Sequence, residues 1–315
     1  MLSGKKAVYF ICTSEDFQGL VSRDVWAILG EKGLLTPAGF DFAGFAVMKQ
    51  ADDEGNEFFF VPTDVPLCWR YPKYLPEMNG HFADFDFAGM VTWHEGENAP
   101  PSVLTVHTAG DVETGVYAPA SPKYVRNLMH TIDGERKRLG LDGFRTVTEA
   151  THWSGSFETS TPPPTLLEFP VPMVDIEVGS EDESWNNRTA AEALAGGLMG
   201  VFDDSGLRLH NLLCVGGMHF DPTFAEAVFT EWDGQGFGVS HIIANQWLVS
   251  GKYDEPHGLE FMERAVSAID EGIEAIAFHD KLKGTYKDTV RKLGEKLGVP
   301  ILKHQRLRNP ETIEW

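Results

Sequence analysis

The sequence has few cysteines and no long apolar run. Its 315 residues include three cysteines, at wide spacings and without a Cys-x-x-Cys pair. This number and spacing argue against a disulfide framework and an all-thiolate zinc site, so we expect free thiols and a cytoplasmic protein. No stretch approaches the roughly 20 apolar residues of a membrane-spanning helix. The short apolar run after residue 6 predicts a first strand rather than a signal peptide.

Basic residues are also scarce. The chain has 26 Lys and Arg against 47 Asp and Glu, a formal net charge of -21. This charge repels polyanions, so it disfavours tRNA or another nucleic acid as a partner unless a local basic patch exists. The densest basic stretches, 134–140 and 281–298, are predicted to be solvated helix faces. A small-molecule substrate suits the charge better, and we expect a monomer or small homo-oligomer.

Several common catalytic motifs are missing. The sequence contains no Walker A loop, no Gly-x-Gly-x-x-Gly fingerprint, no Gly-x-Ser-x-Gly elbow and no His-Glu-x-x-His pair. Phosphate-cradling, dinucleotide-binding, serine-hydrolase and zinc-protease functions therefore lose support.

Short apolar runs alternate with amphipathic segments along most of the chain. The strand candidates are 6–12, 57–62, 87–93, 102–107, 144–150, 173–179, 211–217, 239–244 and 274–279. The helix candidates are 18–31, 121–139, 187–200, 223–231, 257–272 and 284–297. Near-continuous apolar strands separated by helices predict a three-layer α/β fold, with a mixed, mostly parallel sheet and helices on both faces. Residues 31–60 and 62–86, apart from the strand at 57–62, are predicted to be irregular loops, and 1–315 to be one domain.

Four histidines lie at or just past the ends of four strand candidates. They are His94, His107, His152 and His219. Because loops at the carboxyl ends of strands carry ligands in open α/β sheets, the four indicate a common site. Neutral imidazoles beside carboxylates suit zinc or iron, and also acid–base chemistry near neutral pH. A structural role for any single histidine stays open.

Two acidic residues accompany these histidines. Glu177 lies inside the strand candidate 173–179, and Glu149 lies three residues before His152. Glu149 is predicted either to orient a histidine or metal ligand, or to be a solvated strand-end carboxylate.

The other histidines carry weaker signals. His241 lies mid-strand, where a buried hydrogen-bonded role and a site role are both open. The rest are predicted to be solvated, on loops or helix surfaces: His81, His130, His210, His257, His279 and His304.

Paired glycines precede one of the four histidines. Gly216 and Gly217 follow the strand candidate 211–217 and stand just before His219. Their backbone N–H groups could hold an oxyanion or a phosphate, or the pair could form an ordinary turn. Both interpretations stay open.

Taken in order, these stretches resemble the archaeal and plant type of D-aminoacyl-tRNA deacylase. The matching segments are LTVHTAGD (104–111), EATHWSG (149–155), PTLLEFP with DIEVGSEDESW (175–185), CVGGMHFDP (214–222), VSHIIA (239–244) and FHDKLKGTYKDTVRKLGEKLG (278–298). The resemblance covers about 90–300.

The resemblance implies a phosphorylase/hydrolase-like α/β domain and a metal-dependent hydrolase. The expected reaction is attack of an activated water on the ester between a D-amino acid and the tRNA 3′ ribose. Zinc is the expected metal, with iron(II) as the alternative. Expected metal ligands are His94, His107, His152 and Glu177. Expected catalytic groups are His152, Glu149, His219 and Glu177, and expected substrate contacts are Trp153, Gly216, Gly217, Met218, Phe220 and His241.

The chain departs from the family pattern at the motif positions themselves. Trp153 stands where the family has a second histidine, Met218 replaces a third glycine and Phe220 replaces a tyrosine. An apolar pocket with these residues would also suit a small aromatic or pathway-specific substrate. The alternative hypothesis is therefore a diverged metalloenzyme without tRNA activity, such as an extradiol-like non-heme iron dioxygenase or a lyase.

Overall fold

The computed structural model describes residues 4–15, 21–33, 35–96, 99–155 and 163–315. Its strands are β1 (Lys6–Cys12), β2 (Thr36–Phe42), β3 (Phe45–Ala51), β4 (Glu57–Thr63), β5 (Phe87–His94), β6 (Ser102–Thr108), β7 (Gly110–Asp111), β8 (Val116–Tyr117), β9 (Arg145–Thr148), β10 (Met173–Ser180), β11 (Arg208–Val215), β12 (Glu231–Trp232), β13 (Gln235–Ile243), β14 (Ala275–Phe278) and β15 (Ile301–Lys303). All nine predicted strands are confirmed.

The helices also follow the prediction closely. They are α1 (Val21–Glu31), α2 (Tyr71–Phe82), α3 (Pro122–Arg138), α4 (Asp182–Trp185), α5 (Arg188–Gly197), α6 (Pro222–Phe229), α7 (Asn245–Ser250), α8 (His257–Ser267) and α9 (Gly284–Leu297). The first residues of the predicted helix 18–31 lie partly outside the described residues. Among the described residues, no helix has the length and hydropathy needed to cross a membrane.

The described strands form two main sheets, a division that the sequence did not predict. The larger sheet has the order β2-β3-β4-β1-β5-β10-β6-β9, and the smaller has the order β12-β13-β11-β14-β15. The smaller sheet is parallel except for β12. In the larger sheet β4, β1, β5 and β10 are parallel, whereas β6 and β9 run in the opposite direction. The predicted mixed, mostly parallel α/β fold is confirmed.

Hydrophobic packing covers both faces of the larger sheet. One face packs against α1, α3 and α5 in a cluster that continues into the smaller sheet, for example from Tyr9 to Leu212. The other face packs against α2 in a second cluster that includes Phe10 and Tyr74. Since one cluster contains residues of both sheets, the packing agrees with a single domain, which stays a prediction together with the oligomeric state.

Alternate side chains of β10 point to opposite faces of the larger sheet. Val174, Ile176 and Val178 belong to the cluster with α1, α3 and α5. Because successive side chains of a strand point to opposite faces, Asp175 and Glu177 face the α2 side. Two carboxyl groups thus lie inside an otherwise apolar, central strand.

The prediction of irregular loops within 31–86 is wrong. Strands β2 and β3 form an antiparallel hairpin, and 71–82 is helix α2. Proline and glycine obscured the helix, since Pro76 lies inside it and Gly80 lowers its intrinsic propensity. Its buried residues nevertheless follow a helical period: Tyr71, Tyr74, Leu75, Met78 and Phe82. The hairpin was missed because most of β2 is not buried.

His210 and His304 are buried, which corrects the prediction that they are solvated. His210 lies in β11, its Nδ1 is 2.9 Å from Glu274 Oε2 and its ring stacks on Trp315. Partners on neighbouring elements, which the local sequence does not reveal, satisfy this ring.

Two glycines of the α3–α5 region give a matched test of the packing. A Cβ at Gly197 would lie 2.6 Å from Ile132 Cγ1 and 2.9 Å from Ile132 Cα, whereas a Cβ at Gly134 of α3 would meet nothing within 4 Å. We expect Gly197→Ala to lower the free energy of unfolding by about 1–3 kcal/mol through overpacking. Gly134→Ala should raise it by about 0.5–1 kcal/mol through helix propensity. Urea denaturation of both variants checks this, and equal effects would contradict the packing described.

Candidate active site

The candidate site lies on the α2 side of the larger sheet, over its central strands. We expected the histidines to meet where parallel strands end at one edge, but β6 and β9 run against β10. The site is therefore assembled across the sheet face. His107 of β6 lies beside Asp175, Glu177 lies beside Thr105, and Gly179 lies beside His94 of β5.

The segment that follows β9 brings two further groups onto this face. Glu149 and His152 lie in the gap between the two sheets, where backbone hydrogen bonds hold the segment on both sides. Ala150 N–H donates to His219 O at 2.8 Å, and Thr151 N–H donates to Ile242 O at 3.0 Å. On the other side Gly110 N–H donates to His152 O at 3.2 Å.

The Glu149 carboxylate is the centre of the site. Its Oε2 is 2.7 Å from His219 Nε2 and 3.4 Å from His94 Nε2. Its Oε1 accepts a hydrogen bond from Thr105 Oγ1 at 3.1 Å and lies 3.9 Å from His107 Nε2. Glu149 is completely buried, so the alternative prediction of a solvated strand-end carboxylate does not fit this position.

Backbone carbonyls fix the protonation of two imidazoles. His107 Nδ1 lies 3.2 Å from Thr108 O, and His152 Nδ1 lies 2.9 Å from Ala150 O. A carbonyl only accepts, so both Nδ1 atoms carry the proton and both Nε2 atoms present lone pairs. The two rings stack with centroids 3.9 Å apart.

His94 is also protonated on Nδ1 and presents a lone pair on Nε2. Ser180 Oγ donates to Pro100 O at 3.0 Å and so accepts from His94 Nδ1 at 2.8 Å. The lone pair of His94 Nε2 then faces Glu149 Oε2 at 3.4 Å. Two lone pairs this close require a proton or a cation between them.

Two further carboxyl groups, those of Asp175 and Glu177, lie near His107. His107 Nε2 is 3.3 Å from Asp175 Oδ2 and 3.8 Å from Glu177 Oε1. Among the described residues, His107 Nε2, Asp175 Oδ1 and Glu177 Oε2 are buried without a hydrogen-bond partner. Orphaned buried polar atoms are costly, and a group of imidazole and carboxyl side chains in this state is suited to a bound cation.

Three overlapping groups have ligand atoms close enough to hold a metal ion. They are His94, Glu149 and His219; His107, Glu149 and His152; and His107, Asp175 and Glu177. Each predicted metal ligand, His94, His107, His152 and Glu177, belongs to at least one group. Their role as ligands stays a prediction.

Burial favours the neutral form of each ionisable group in the cluster. It raises the pKa of Glu149 to about 8 and, together with the charge of Glu149, the pKa of Glu177 to about 8. Burial, followed by the charge of Glu177, also raises the pKa of Asp175. Burial lowers the pKa of His107 to about 3 and that of His219 to about 4, and it lowers the pKa of His94 and His152. Near neutral pH the imidazoles are neutral and the carboxyl groups retain protons, which a cation would displace.

A cavity of about 680 Å³ opens onto the cluster. Its wall contains four Trp and Phe residues together with polar groups of the cluster. The lining residues are Cys68, Trp69, Thr92, Trp93, His94, Glu95, Gly96, Ala99, His152, Trp153, Ser154, Glu177, His219, Phe220 and Gln246. This volume is that of an ordinary small-molecule site.

The structure brings some of the predicted substrate contacts to this wall and not others. Trp153 and Phe220 line the cavity. Met218 does not, and its side chain is 64% exposed. Gly216 N–H already donates to Ile243 O at 2.8 Å, and a Cβ at Gly217 would lie 2.3 Å from Asp221 Oδ2. The glycine pair therefore fits a tight turn better than an oxyanion hole.

His241 lies behind the cavity rather than in its wall. Its Nε2 is 3.1 Å from Ala118 O, and its Nδ1 is 2.9 Å from Thr108 Oγ1 and 3.2 Å from Thr151 Oγ1. The ring is fully buried and both nitrogens are satisfied. This arrangement supports the buried, hydrogen-bonded interpretation, in which His241 fixes the segment that carries His152.

Sequence reasoning missed Asp175. Its Oδ2 accepts a hydrogen bond from Ser154 Oγ at 2.8 Å and lies beside His107. The available signal was its position two residues before Glu177 in an apolar strand, which places both carboxyl groups on one buried face. Trp69 and Trp93 of the cavity wall were also missed, because aromatic residues next to apolar strands usually indicate packing.

Comparisons with known proteins point to one family. Residues 81–302 match the family profile described as D-aminoacyl-tRNA deacylase. A D-aminoacyl-tRNA deacylase from Archaeoglobus fulgidus is 24% identical over 307 residues, covering 95% of this chain and 96% of the relative. One from Pyrococcus furiosus is 31% identical over 221 residues, covering 67% and 70%. A crystal structure described as a conserved protein of unknown function has a TM-score of 0.74 at 21% identity over 98% of each chain, which shows the shared fold.

The buried carboxyl groups predict how stability depends on pH without a cation. Glu149 and Glu177 have a folded-state pKa of about 8 against an ordinary value of 4.5. Between these two pH values the folded protein therefore binds more protons than the unfolded chain. Their contribution is therefore lost as the pH rises. Below about 6.5, histidines with lowered pKa such as His107 and His219 oppose this trend. Between pH 6.5 and 8 we expect the free energy of unfolding to fall by an amount on the order of a few kcal/mol.

Urea denaturation in the presence of a chelator measures this profile. Glu149→Gln should flatten it, because an amide does not titrate, and added zinc should restore stability at pH 8. A wild-type profile that stays flat or rises between pH 6.5 and 8 would contradict the description of the cluster.

Proposed function

The chain belongs to the D-aminoacyl-tRNA deacylase family, and we propose that it is a metal-dependent hydrolase of the ester between a D-amino acid and the 3′ ribose of tRNA. The observation that carries this proposal is the buried Glu149 carboxylate, which lies 3.4 Å from His94 Nε2 and 2.7 Å from His219 Nε2, two imidazoles that line the cavity. A buried carboxylate among imidazoles is suited to activating water beside a bound ester.

The donor set fits a divalent cation. The lone pairs of His94, His107 and His152 converge on carboxylate oxygens, and several of these atoms lack any other partner within the described part of the chain. Imidazole and carboxylate ligands suit zinc, our first choice, and also iron(II). Held by His94, His107, His152 and Glu177, with Glu149 and Asp175 within reach, the ion would supply Lewis-acid activation of water or of the ester carbonyl.

We assign the proton transfer to His219, supported by Glu149. His219 is neutral near pH 7, since burial lowers its pKa to about 4, and it lines the cavity. As general base it accepts a proton from the attacking water while the water oxygen bonds to the acyl carbon. Glu149, 2.7 Å from His219 Nε2, orients the ring and stabilises its charged form. His219 then returns the proton to the ribose oxygen as the ester C–O bond breaks, which yields the free amino acid and the tRNA hydroxyl.

The compartment follows from the same proposal. We place the activity in the cytoplasm, where aminoacyl-tRNA is used. The three cysteines support this, since all are free and buried.

Replacement of Glu149 tests the assignment. We expect Glu149→Gln to lower kcat/KM for a D-aminoacyl-tRNA by about 10²- to 10⁴-fold, because the amide removes a ligand and the charge that supports His219. The matched control is Glu311→Gln at an exposed carboxylate, which should leave kcat/KM unchanged. The assay follows release of the amino acid, with the L-aminoacyl-tRNA measured in parallel. Wild-type hydrolysis no faster than that of Glu149→Gln would contradict the proposal.

Metal analysis separates this proposal from the oxygenase alternative. Protein purified without chelator should contain about one or two zinc ions per chain, since the cluster offers three overlapping ligand groups that share Glu149 and His107. Removal of the zinc should abolish hydrolysis, and its return should restore it. Iron together with oxygen uptake on an aromatic substrate would contradict the hydrolase assignment.

A further inference from the structure

Resting on the proposed function, we propose that this chain recognises only the terminal aminoacyl-nucleoside of its substrate, through aromatic contacts, and does not bind the phosphates of the tRNA body. The substrate class is then aminoacyl esters of adenosine, with or without the rest of the tRNA. Three sets of observations carry this inference: the charge of the cavity wall, the pairing of the basic stretches, and the aromatic rings of the wall.

Among its described residues, the cavity wall has no basic side chain that could hold a phosphate. None of the described residues that line it is Lys or Arg, and its carboxylates are those of Glu95 and Glu177. The described part of the wall therefore offers a phosphate no basic partner, while the carboxylate of Glu95 suits the α-ammonium group of an aminoacyl ester.

The basic stretch at the end of α3 is neutralised locally. Arg136 Nε lies 2.8 Å from Asp133 Oδ1, and Lys137 Nζ lies 2.7 Å from Asp133 Oδ2. Arg138 lies 2.7 Å from Glu135 Oε2. Cations that already face carboxylates on their own helix offer little field to a polyanion.

Two cations of the second basic stretch, both on α9, also face carboxylates. Arg291 lies 2.5 Å from Asp288 Oδ1, and Lys296 Nζ lies 2.5 Å from Glu263 Oε1 of α8. Both stretches thus behave as the solvated helix faces that the sequence predicts. The net charge of -21 also disfavours an extended contact with the tRNA phosphates.

Aromatic rings supply the alternative means of recognition. Trp69 and Trp93 of the wall meet edge to face with centroids 6.2 Å apart, and Trp153 meets Tyr71 edge to face at 5.1 Å. Phe220 packs at 5.0 Å against His219. Each ring is held by a neighbour, so the wall is ordered before a ligand arrives. Such faces stack on a base or an aromatic acyl group without regard to phosphate.

The inference is tested with two esters that share the same acyl group. D-tyrosyl-adenosine and D-tyrosyl-tRNA are compared at 50 and 200 mM salt with the metal-loaded wild-type protein. We expect kcat/KM values within about tenfold of each other and a decrease of less than about threefold with salt, because a protein that holds 6–10 phosphates loses about 10³–10⁵ in affinity over this range.

Aromatic variants provide the second readout. Trp93→Ala should lower kcat/KM for both esters by about fivefold or more, mainly through KM, because it removes a stacking face. Trp93→Phe should recover most of the loss. Trp315→Ala is the matched control, since Trp315 packs on His210 outside the cavity and should leave both values unchanged.

Failure of the inference and failure of the proposed function give different results. Hydrolysis of the tRNA ester alone, with a salt dependence of 100-fold or more, would overturn the inference and leave the deacylase function standing. Hydrolysis of neither ester would overturn both. Hydrolysis of both with equal loss in Trp93→Ala supports both.

Discussion

The contact between Glu149 and the surrounding imidazoles is the interaction on which the rest of the site depends. A carboxyl group buried at this depth needs several partners, and Glu149 has Thr105, His94 and His219 within hydrogen-bond or ion-pair range. Even so, the polarity of His94 places two lone pairs face to face. The cluster is therefore incomplete by itself, and the same deficit that destabilises it at high pH would be relieved by the cation that we propose.

The fold supplies the rigidity that such a cluster requires. Strands β5, β10 and β6 contribute His94, Glu177 and His107 from the middle of the larger sheet, where register fixes each position. The segment that contains Glu149 and His152 is held from both sheets, through Val106 of β6 on one side and through Ile242 and the buried ring of His241 of β13 on the other. Side chains fixed in this way keep their geometry before an ion or a substrate binds, and preorganisation of this kind favours catalysis.

Much of this arrangement could be predicted from the sequence, for identifiable reasons. Apolar composition predicts strands, so the positions of His94, His107 and His219 relative to strand ends followed from local sequence patterns. The direction of β6 and β9 did not, because antiparallel pairing is a tertiary property. For this reason we expected the site at the carboxyl ends of the strands, whereas it lies on a face of the sheet. Asp175 was missed for a related reason, since only strand register shows that it lies beside His107.

The measurement that tests the central claim most directly is X-ray diffraction at the zinc absorption edge, on crystals of the protein grown with zinc. The account predicts an anomalous peak inside the cluster, between the Nε2 atoms of the histidines and the oxygens of Glu149 or Glu177. Zinc found only at exposed surface histidines, in a protein that still hydrolyses its ester, would contradict the claim that this buried cluster is the catalytic metal centre.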